Sequence, residues 1–297
     1  MDFTLYWFMF PVAVVVATSG MLSGIGGAAL FTPLFMAALP ALGAAFGLAD
    51  PATAVAAALL TGTFGLTSGA IGYAMKGLID FRSALPYLAV AVPSVTVGGV
   101  SGHYADPDVL KLIYAALVLI PAAIMLRGHH HKAVDSGPML AGQGASAGAM
   151  DVRGIRNIAT SDGTVYSYRA PRQGLAAVIT SFGAFMTGMV SVGIGESVMI
   201  QFRRQGMPVA VAAGTSIFIV IVTVAFASAA QISALVLSDG IRAVPWNLVA
   251  YTIPGAIIGG QIGPRLQGRI GDTVMERIIG AIFVAVSIAM TWLVMAS

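Results

Sequence analysis

The sequence contains no cysteine and very little charge. Only 9% of its 297 residues are Asp, Glu, Lys or Arg, against about 25% in ordinary soluble domains. The absence of cysteine excludes disulfides, a thiol nucleophile and thiolate metal ligands. Hydrophobic residues make up 58% of the chain, and its apolar start lacks the basic region and the small-residue cleavage site of a signal peptide. The composition therefore predicts a polytopic membrane protein.

The scarcity of charge also leaves few groups for catalysis. The sequence holds no paired carboxylates, histidine constellation or phosphate-binding loop of the kind that an enzyme uses. The one histidine cluster is His129–His131, and no cysteine is present to complete a zinc site with it. A solvated basic loop is favoured there over metal binding. The sequence therefore predicts a protein that is not an enzyme and that holds no metal or cofactor.

Apolar segments of membrane-spanning length fill most of the chain. Most are close to the ~20 residues with which a helix crosses the hydrocarbon core. The second segment of each half is shorter and begins at a glycine motif. The ten segments lie at about 4–19, 22–39, 51–75, 83–102, 109–126, 173–191, 196–207, 208–236, 243–263 and 274–296.

The second half of the chain repeats motifs of the first half. Ser23-Gly24-Ile25-Gly26-Gly27 returns as Ser191-Val192-Gly193-Ile194-Gly195-Glu196, roughly 160–170 positions later. At a similar separation, Pro93-x4-Gly98-Gly99-x2-Gly102 returns as Pro254-x4-Gly259-Gly260-x2-Gly263. A duplicated apolar unit with a glycine-broken segment in each copy is typical of secondary transporters.

The duplication divides the chain into three predicted parts. A first transmembrane repeat spans 1–126, a flexible linker spans 127–172, and a second transmembrane repeat spans 173–297. Within the linker, Gly, Ala and Ser at 136–149 indicate unstructured chain. The alternating run at 164–168 follows turn residues and predicts a small hairpin.

Basic residues predict the orientation of the segments. With five segments in each half, thirteen of the fifteen Lys and Arg residues fall on one side, and only Lys111 and Arg242 fall on the other. Basic loops stay cytoplasmic, so the linker is predicted to be cytoplasmic and both termini periplasmic. Five segments per half also turn the second half upside down. The predicted fold is an all-α inverted repeat of about five membrane segments in each half, whose short glycine-broken segments either span the membrane or re-enter it.

The glycine turns form the predicted substrate site. Gly24, Gly26 and Gly27 in the first copy, with Gly193 and Gly195 in the second, can adopt backbone angles closed to other residues. The short helices that follow would point their amides and positive dipole ends into the interior, which makes an anion site without a charged side chain. For the glycines of the two Pro-x4-Gly-Gly-x2-Gly helices, close helix packing is favoured instead.

Hydroxyl side chains support the same location. Many Ser and Thr side chains only bond to a carbonyl of their own helix, whereas those that face the glycine turns would donate to an oxyanion. The hydroxyls predicted to bind substrate are those beside the turns and on one apolar helix of each half. They are Ser23, Thr61, Ser191, Ser197, Thr215 and Ser216.

Glu196 is the one charged residue inside a glycine motif at predicted membrane depth, since the other 26 of the 27 charged residues fall in loops, tails or segment ends. A carboxylate there costs several kcal/mol unless it is paired, hydrated or protonated, which makes it a functional candidate. Three roles stay open. Glu196 carries the coupling proton, hydrogen-bonds the opposite repeat while neutral, or lines a water-filled vestibule.

Together these motifs resemble the TauE/SafE sulfite exporter family. The resemblance rests on the duplicated Gly-x-x-Ser-Gly-Ile-Gly-Gly signature, the alanine-rich stretch before Thr215-Ser216, and the two Pro-x4-Gly-Gly-x2-Gly helices. It covers both halves apart from the linker. One departure is Gln201-Phe202-Arg203-Arg204, where the family often ends the helix in Pro-Leu. Arg203 and Arg204 are favoured as topological anchors over an anion funnel.

The resemblance implies an inner-membrane permease for sulfite, sulfonates such as sulfoacetate, or related sulfur anions. We therefore expect a secondary transporter that exports sulfite or a related small sulfur oxyanion or organosulfonate, driven by the proton gradient. The alternative is an uptake permease or a channel for another small anion. The expected partners are that anion and the lipid bilayer, with no nucleic acid.

Overall fold

Helices account for nearly all of the regular structure in this computed structural model, which describes residues 2–23, 27–126, 155–161, 163–171, 174–266 and 272–295. The first half contains α1 (Met9–Ser23), α2 (Gly27–Pro33), α3 (Leu39–Leu42), α4 (Pro51–Met75), α5 (Phe81–His103) and α6 (Pro107–Leu126). The second half contains α7 (Gly174–Val190), α8 (Ile194–Arg204), α9 (Val209–Asp239), α10 (Trp246–Leu266) and α11 (Asp272–Met295). Each of the ten predicted segments overlaps one of these elements in order, α2 and α3 together forming the second.

The second element of the first half is interrupted by a proline. α2 continues into α3 through a π-helical turn at Leu34–Ala38. Pro33 has no N–H to donate to the carbonyl of Ala29, and the hydroxyl of Tyr114 from α6 donates to that carbonyl at 2.8 Å instead. A neighbouring helix thus satisfies the freed carbonyl, as the low polarity of a membrane interior requires.

The helices of the two halves pack with the same set of pairings. When the five elements of each half are matched in order, α1 pairs with α10 as α7 pairs with α5. Likewise α4 pairs with α10 as α9 pairs with α5, and α2 packs on α4 as α8 packs on α9. The matched helices α6 and α11 pack on each other, as do α4 and α9.

The predicted packing role of the paired glycines is confirmed by their contacts. A Cβ on Gly98 of α5 would lie 2.1 Å from the carbonyl oxygen of Phe185 in α7. One on its counterpart Gly259 of α10 would lie 2.5 Å from the carbonyl oxygen of Val14 in α1. These crossings bring backbone against backbone, which only a glycine allows.

The next glycine of each motif makes a second close crossing. A Cβ on Gly99 of α5 would lie 3.0 Å from the Cβ of Ala230 in α9, and one on Gly260 of α10 would lie 2.3 Å from the carbonyl oxygen of Gly65 in α4. Glycine contacts therefore join α5, α7 and α9 into one packed unit, and α1, α4 and α10 into another. We call these the α5 unit and the α10 unit.

Three of the described helices, α4, α5 and α9, are long and apolar enough to cross a membrane by length and composition. Shorter apolar stretches accompany them at 9–21, 28–42, 174–190 and 280–292. Large hydrophobic side chains such as Trp7, Leu85, Leu175 and Trp292 are exposed on the outer surface, as expected where the solvent is lipid.

A two-stranded hairpin lies in the linker. Strand β1 (Ile155–Ala159) pairs antiparallel with β2 (Val165–Arg169), with Ile155 opposite Arg169 and Ala159 opposite Val165. The sequence treats 127–172 as one flexible linker and predicts only a small hairpin at 164–168. The structure shows that the hairpin is longer and docked, because it makes polar contacts with the connection between α4 and α5. The glycine-rich stretch at 136–149 lies outside the described residues.

Candidate functional site

The second glycine motif forms a tight reversal between α7 and α8. Ser191 has a φ of +65° and Gly193 a φ of +136°. Residues other than glycine rarely have a positive φ, so the backbone of Ser191 is strained. The N–H of Ile194, the first residue of α8, donates to Thr187 Oγ1 at 2.9 Å. Thr187 Oγ1 in turn donates to the carbonyl of Gly183 at 2.8 Å. The end of α7 therefore holds the start of α8 in place.

The two halves of the chain meet at this reversal. The hydroxyls of Thr32 in α2 and Ser191 are joined by a short hydrogen bond, and both side chains are buried. Thr32 Oγ1 also donates to the carbonyl of Ala28 at 3.2 Å. Because a hydroxyl has one proton to donate, Ser191 is the donor in the bond between them whenever Thr32 donates to Ala28.

A small cavity lies beside this contact. Its polar wall consists of Thr187, Ser191, Gly193 and Gly195, and Ala28 of α2 lies opposite. The remaining wall is apolar and comes from α2, α4 and α9, together with Val192 and Ile194 of the reversal itself. The space is sufficient for about one water molecule. Since the first N–H groups of a helix have no acceptor within it, the start of α8 offers donors and a positive dipole end to this cavity.

Sequence comparison places nearly the whole chain in a family of membrane transporters. Residues 9–290 match the family model described as sulfite exporter TauE/SafE. The chain belongs to this family. A probable membrane transporter protein from Xylella fastidiosa (strain Temecula1 / ATCC 700964) is 24% identical to this chain and matches 92% of it and 89% of its own length. No solved structure matches the chain. This TauE/SafE protein is a multi-pass membrane transporter, not an enzyme.

Part of the predicted site is assembled at the cavity. Ser191, Gly193 and Gly195 line it, while Ser197 lies one turn further along α8 and donates to the carbonyl of Ile194 at 3.0 Å. In the first copy, Ser23 is the last residue of α1 and Gly27 the first of α2. Gly24 and Gly26, between them, lie outside the described residues.

Three predicted hydroxyls are engaged away from the cavity. Thr61 of α4 is hydrogen-bonded to Thr252 of α10 at 2.8 Å, and Ser216 donates to the carbonyl of Ala213 in its own helix at 3.1 Å. Thr215 accepts a hydrogen bond from the backbone N–H of Asp80 at 2.9 Å. In this conformation their contacts are with the protein, as Ser and Thr in membrane helices often are.

Glu196 lies in the first turn of α8, directly after the cavity residue Gly195. The three roles considered for its carboxylate stay predictions. Among the residues that the structure describes, no group of three or more His, Asp or Glu side chains could hold a metal ion. The tract His129–His131 lies outside those residues.

Thr32 and Thr187 are cavity-region residues that the sequence reasoning did not select. Thr180 and Thr187 are seven residues apart and so share one face of α7, and Thr187 lies four residues before Ser191. That polar face leading into the glycine motif is a signal that sequence alone contains. Thr32 carries no comparable signal, because its partner is distant in the chain.

A second buried polar cluster lies at the connection between α4 and α5. We call it the Asp80 junction, and it consists of Asp80, Ser83, Arg156, Tyr168 and Thr215. Asp80 begins α5 by accepting a hydrogen bond from the N–H of Ser83 at 3.1 Å. Its Oδ2 also accepts from Arg156 Nη1 at 2.9 Å and from the Tyr168 hydroxyl at 2.6 Å. The hairpin thus supplies two of the donors.

Charge at the Asp80 junction is strongly stabilised. Burial alone would raise the pKa of Asp80, but hydrogen bonds from Ser83, Tyr168 and Arg156 outweigh it and lower that pKa below its usual value. Burial and the adjacent carboxylate raise the pKa of Tyr168. Asp80 is therefore an anion and Tyr168 a neutral donor at physiological pH.

Proposed function

We propose that this protein is a secondary transporter that exports sulfite or a related small sulfur oxyanion or organosulfonate, with the proton gradient as driving force. The observation that carries the proposal is the hydrogen bond between Thr32 and Ser191, which joins the two halves beside the start of α8. Family membership supports a sulfur anion as the substrate class, and the cavity beside this bond supports the start of α8 as the place where it binds.

The chemistry of the cavity suits an anion. Hydroxyls, backbone amides and the positive end of a helix dipole bind oxyanions without a fixed positive charge. Such a site holds its ligand weakly enough to release it. The Ser191 hydroxyl has a hydrogen-bond partner here in Thr32, and an anion that took the place of Thr32 would separate the two halves.

The size of the cavity supports alternating access. Sulfite has four heavy atoms, whereas the cavity holds about one water. Substrate therefore enters only when the contact between Thr32 and Ser191 opens. In the conformation observed, the cavity is too small for sulfite, which is consistent with a carrier in a state that does not hold its substrate.

The pairing of helices supports an inverted repeat. The pair α1 and α10 corresponds to the pair α7 and α5, and the glycine contacts of the two units match as well. A pseudo-twofold axis that relates the two halves would produce this pattern. An odd number of crossings per half then inverts the second half. With the basic residues on one side, the linker is cytoplasmic and the termini periplasmic.

Glu196 is the residue proposed to couple transport to protons. An ionised carboxylate at this position in the chain would repel an anion bound at the start of α8, so the protonation state of Glu196 and the binding of the anion would be linked. Such a linkage is what a residue needs in order to couple the proton flux to the anion flux.

Counterflow in proteoliposomes tests the function. We expect external radiolabelled sulfite to enter vesicles preloaded with unlabelled sulfite, and sulfoacetate, sulfate and thiosulfate added as competitors to rank the substrates. Selective exchange that is stimulated by the trans anion would support a carrier. Sulfite flux without counterflow would indicate a channel, and no flux with correctly folded protein would indicate another anion.

A further inference from the structure

We propose that the linker hairpin is a latch that holds the linker side of the transporter closed, and that transport requires its release. By linker side we mean the face that carries the connection between α4 and α5. The proposal rests on the carrier mechanism proposed above. It concerns the hairpin of the linker and the residues that the hairpin contacts, away from the central cavity.

The hairpin bridges two helices that belong to different packed units. At the end of α4, in the α10 unit, the N–H of Ser161 donates to the carbonyl of Lys76 at 3.1 Å. At the start of α5, in the α5 unit, Arg156 Nη1 lies 2.9 Å from Asp80 Oδ2 and 2.8 Å from Ser83 Oγ. The hairpin therefore clamps the connection at which one unit passes into the other.

The same connection is packed against the start of α9. The backbone N–H of Asp80 donates to Thr215 Oγ1 at 2.9 Å. A Cβ on Gly214 would lie 2.6 Å from the carbonyl oxygen of Leu78, and Leu78 is buried. When the hairpin holds Asp80, it also keeps this loop seated on α9 and closes that end of the helix bundle.

The chemistry of the clamp suits a reversible contact. Within each unit, the helices are held by close packing at the glycine crossings. If two such helices separated, nothing would replace the packing contacts that they lose. The clamp instead consists of hydrogen bonds and one ion pair, with Arg156 20% and Asp80 7% exposed at the side chain. Water can replace such partners, so the hairpin can undock while the backbone crossings within each unit stay intact.

The clamp also acts on one side only. The linker lies between the two repeats and is not part of the duplication. The hairpin is therefore an addition that biases an otherwise symmetric mechanism toward the state closed on the linker side. A ligand or partner is not required for this bias, since every contact is within the chain.

Thiol labelling tests the latch without any transport. The chain has no native cysteine, so Leu78→Cys is a single reporter of the seated loop. In detergent-solubilised protein, we expect Arg156→Gln to raise its maleimide labelling rate by on the order of tenfold. The matched control is Arg169→Gln, which removes an exposed arginine from the same hairpin and should leave the rate unchanged. Equal rates in the two variants would overturn the proposal.

A second variant protects this test against misfolding. Tyr168→Phe removes one hydrogen bond to Asp80 and leaves the ion pair with Arg156 intact. Its labelling of Leu78→Cys should increase in the same direction by a smaller factor. A folded Tyr168→Phe protein with the wild-type labelling rate would count against the latch.

Crosslinking tests whether release is needed for transport. In Ser83→Cys/Arg156→Cys protein, a short bis-methanethiosulfonate reagent would form a disulfide with each cysteine, releasing methanesulfinate, and so would replace the clamp by a covalent link that reduction cleaves. We expect sulfite counterflow to fall at least about tenfold on crosslinking and to return on reduction. The control pair is Asn157→Cys/Ser167→Cys, which crosslinks the two strands of the hairpin to each other. Undiminished counterflow in the clamped protein would overturn the proposal.

The two arms separate the latch from the substrate assignment. Increased labelling in Arg156→Gln with no sulfite flux in any variant would support the latch and refute the proposed substrate. Sulfite counterflow with unchanged labelling would support the transporter and refute the latch.

Discussion

The crossing of α5 and α7 gives a quantitative prediction for Gly98→Ala. The new Cβ would lie 2.1 Å from the carbonyl oxygen of Phe185, whereas close carbon–oxygen contacts are about 3.3 Å. The difference requires the two helices to separate locally by about 1.2 Å. Because the obstacle is backbone, no side-chain rotation relieves it. We expect a loss of about 1–3 kcal/mol, as for overpacked cores, measured as reduced stability to denaturant in detergent.

A glycine without such a contact provides the control. Gly72 of α4 has no heavy atom within 4 Å of a Cβ placed on it, so Gly72→Ala should be neutral or raise stability by up to about 1 kcal/mol through helix propensity. Gly259→Ala, 2.5 Å from the carbonyl oxygen of Val14, should resemble Gly98→Ala. If Gly98→Ala were as stable as Gly72→Ala, the packing argument for both motifs would be refuted.

Other predictions concern the central site and the Asp80 junction. Ser191→Gly removes the Ser191 hydroxyl while relieving a strained backbone, and Gly195→Val places a side chain at the cavity. In folded protein, each variant should lower sulfite counterflow about tenfold or more. Glu196→Gln should abolish the dependence of export on a pH gradient, and unchanged dependence would remove it as the coupling group. The pKa of Asp80 is lower in the folded protein than its unfolded value of 3.8. Asp80 therefore stabilises docking fully at any pH above 3.8, and this stabilisation is lost only as the pH falls through the folded pKa. Labelling of Leu78→Cys, corrected for thiol ionisation, should therefore be constant between about pH 6 and about pH 8.

The elements of the fold could be predicted because they depend on local patterns. Apolar length identifies the helices, and the repeated Pro-x4-Gly-Gly-x2-Gly motif identifies where helices pack closely. The sequence does not say which helix each glycine contacts, since that depends on the arrangement of all the others. In the structure, neighbouring glycines such as Gly98 and Gly99 face different helices, and one motif therefore builds two crossings.

The candidate site could be predicted only in part, for the same reason. Ser191, Gly193 and Gly195 lie within five residues of one another. A local turn is therefore enough to bring them to the same cavity. Thr32 is 159 positions from Ser191, and nothing in either segment specifies that they meet. Thr215 is a hydroxyl residue on an apolar helix, as expected for substrate binding. Its Oγ1 instead accepts a hydrogen bond from the backbone N–H of Asp80, a loop residue 135 positions away.

The distribution of contact types indicates where the protein can move. Glycine crossings hold α5, α7 and α9 together, and hold α1, α4 and α10 together, with backbone against backbone. Helices packed this closely keep their relative positions, because a small displacement already causes clashes or lost contacts. The contact between Thr32 and Ser191, and the hairpin across the Asp80 junction, are polar and can exchange partners with water or an anion. If alternating access operates here, the two packed units should therefore move as rigid bodies. The hydroxyl pair and the hairpin are then the contacts that must open, the first for the substrate and the second for the linker side.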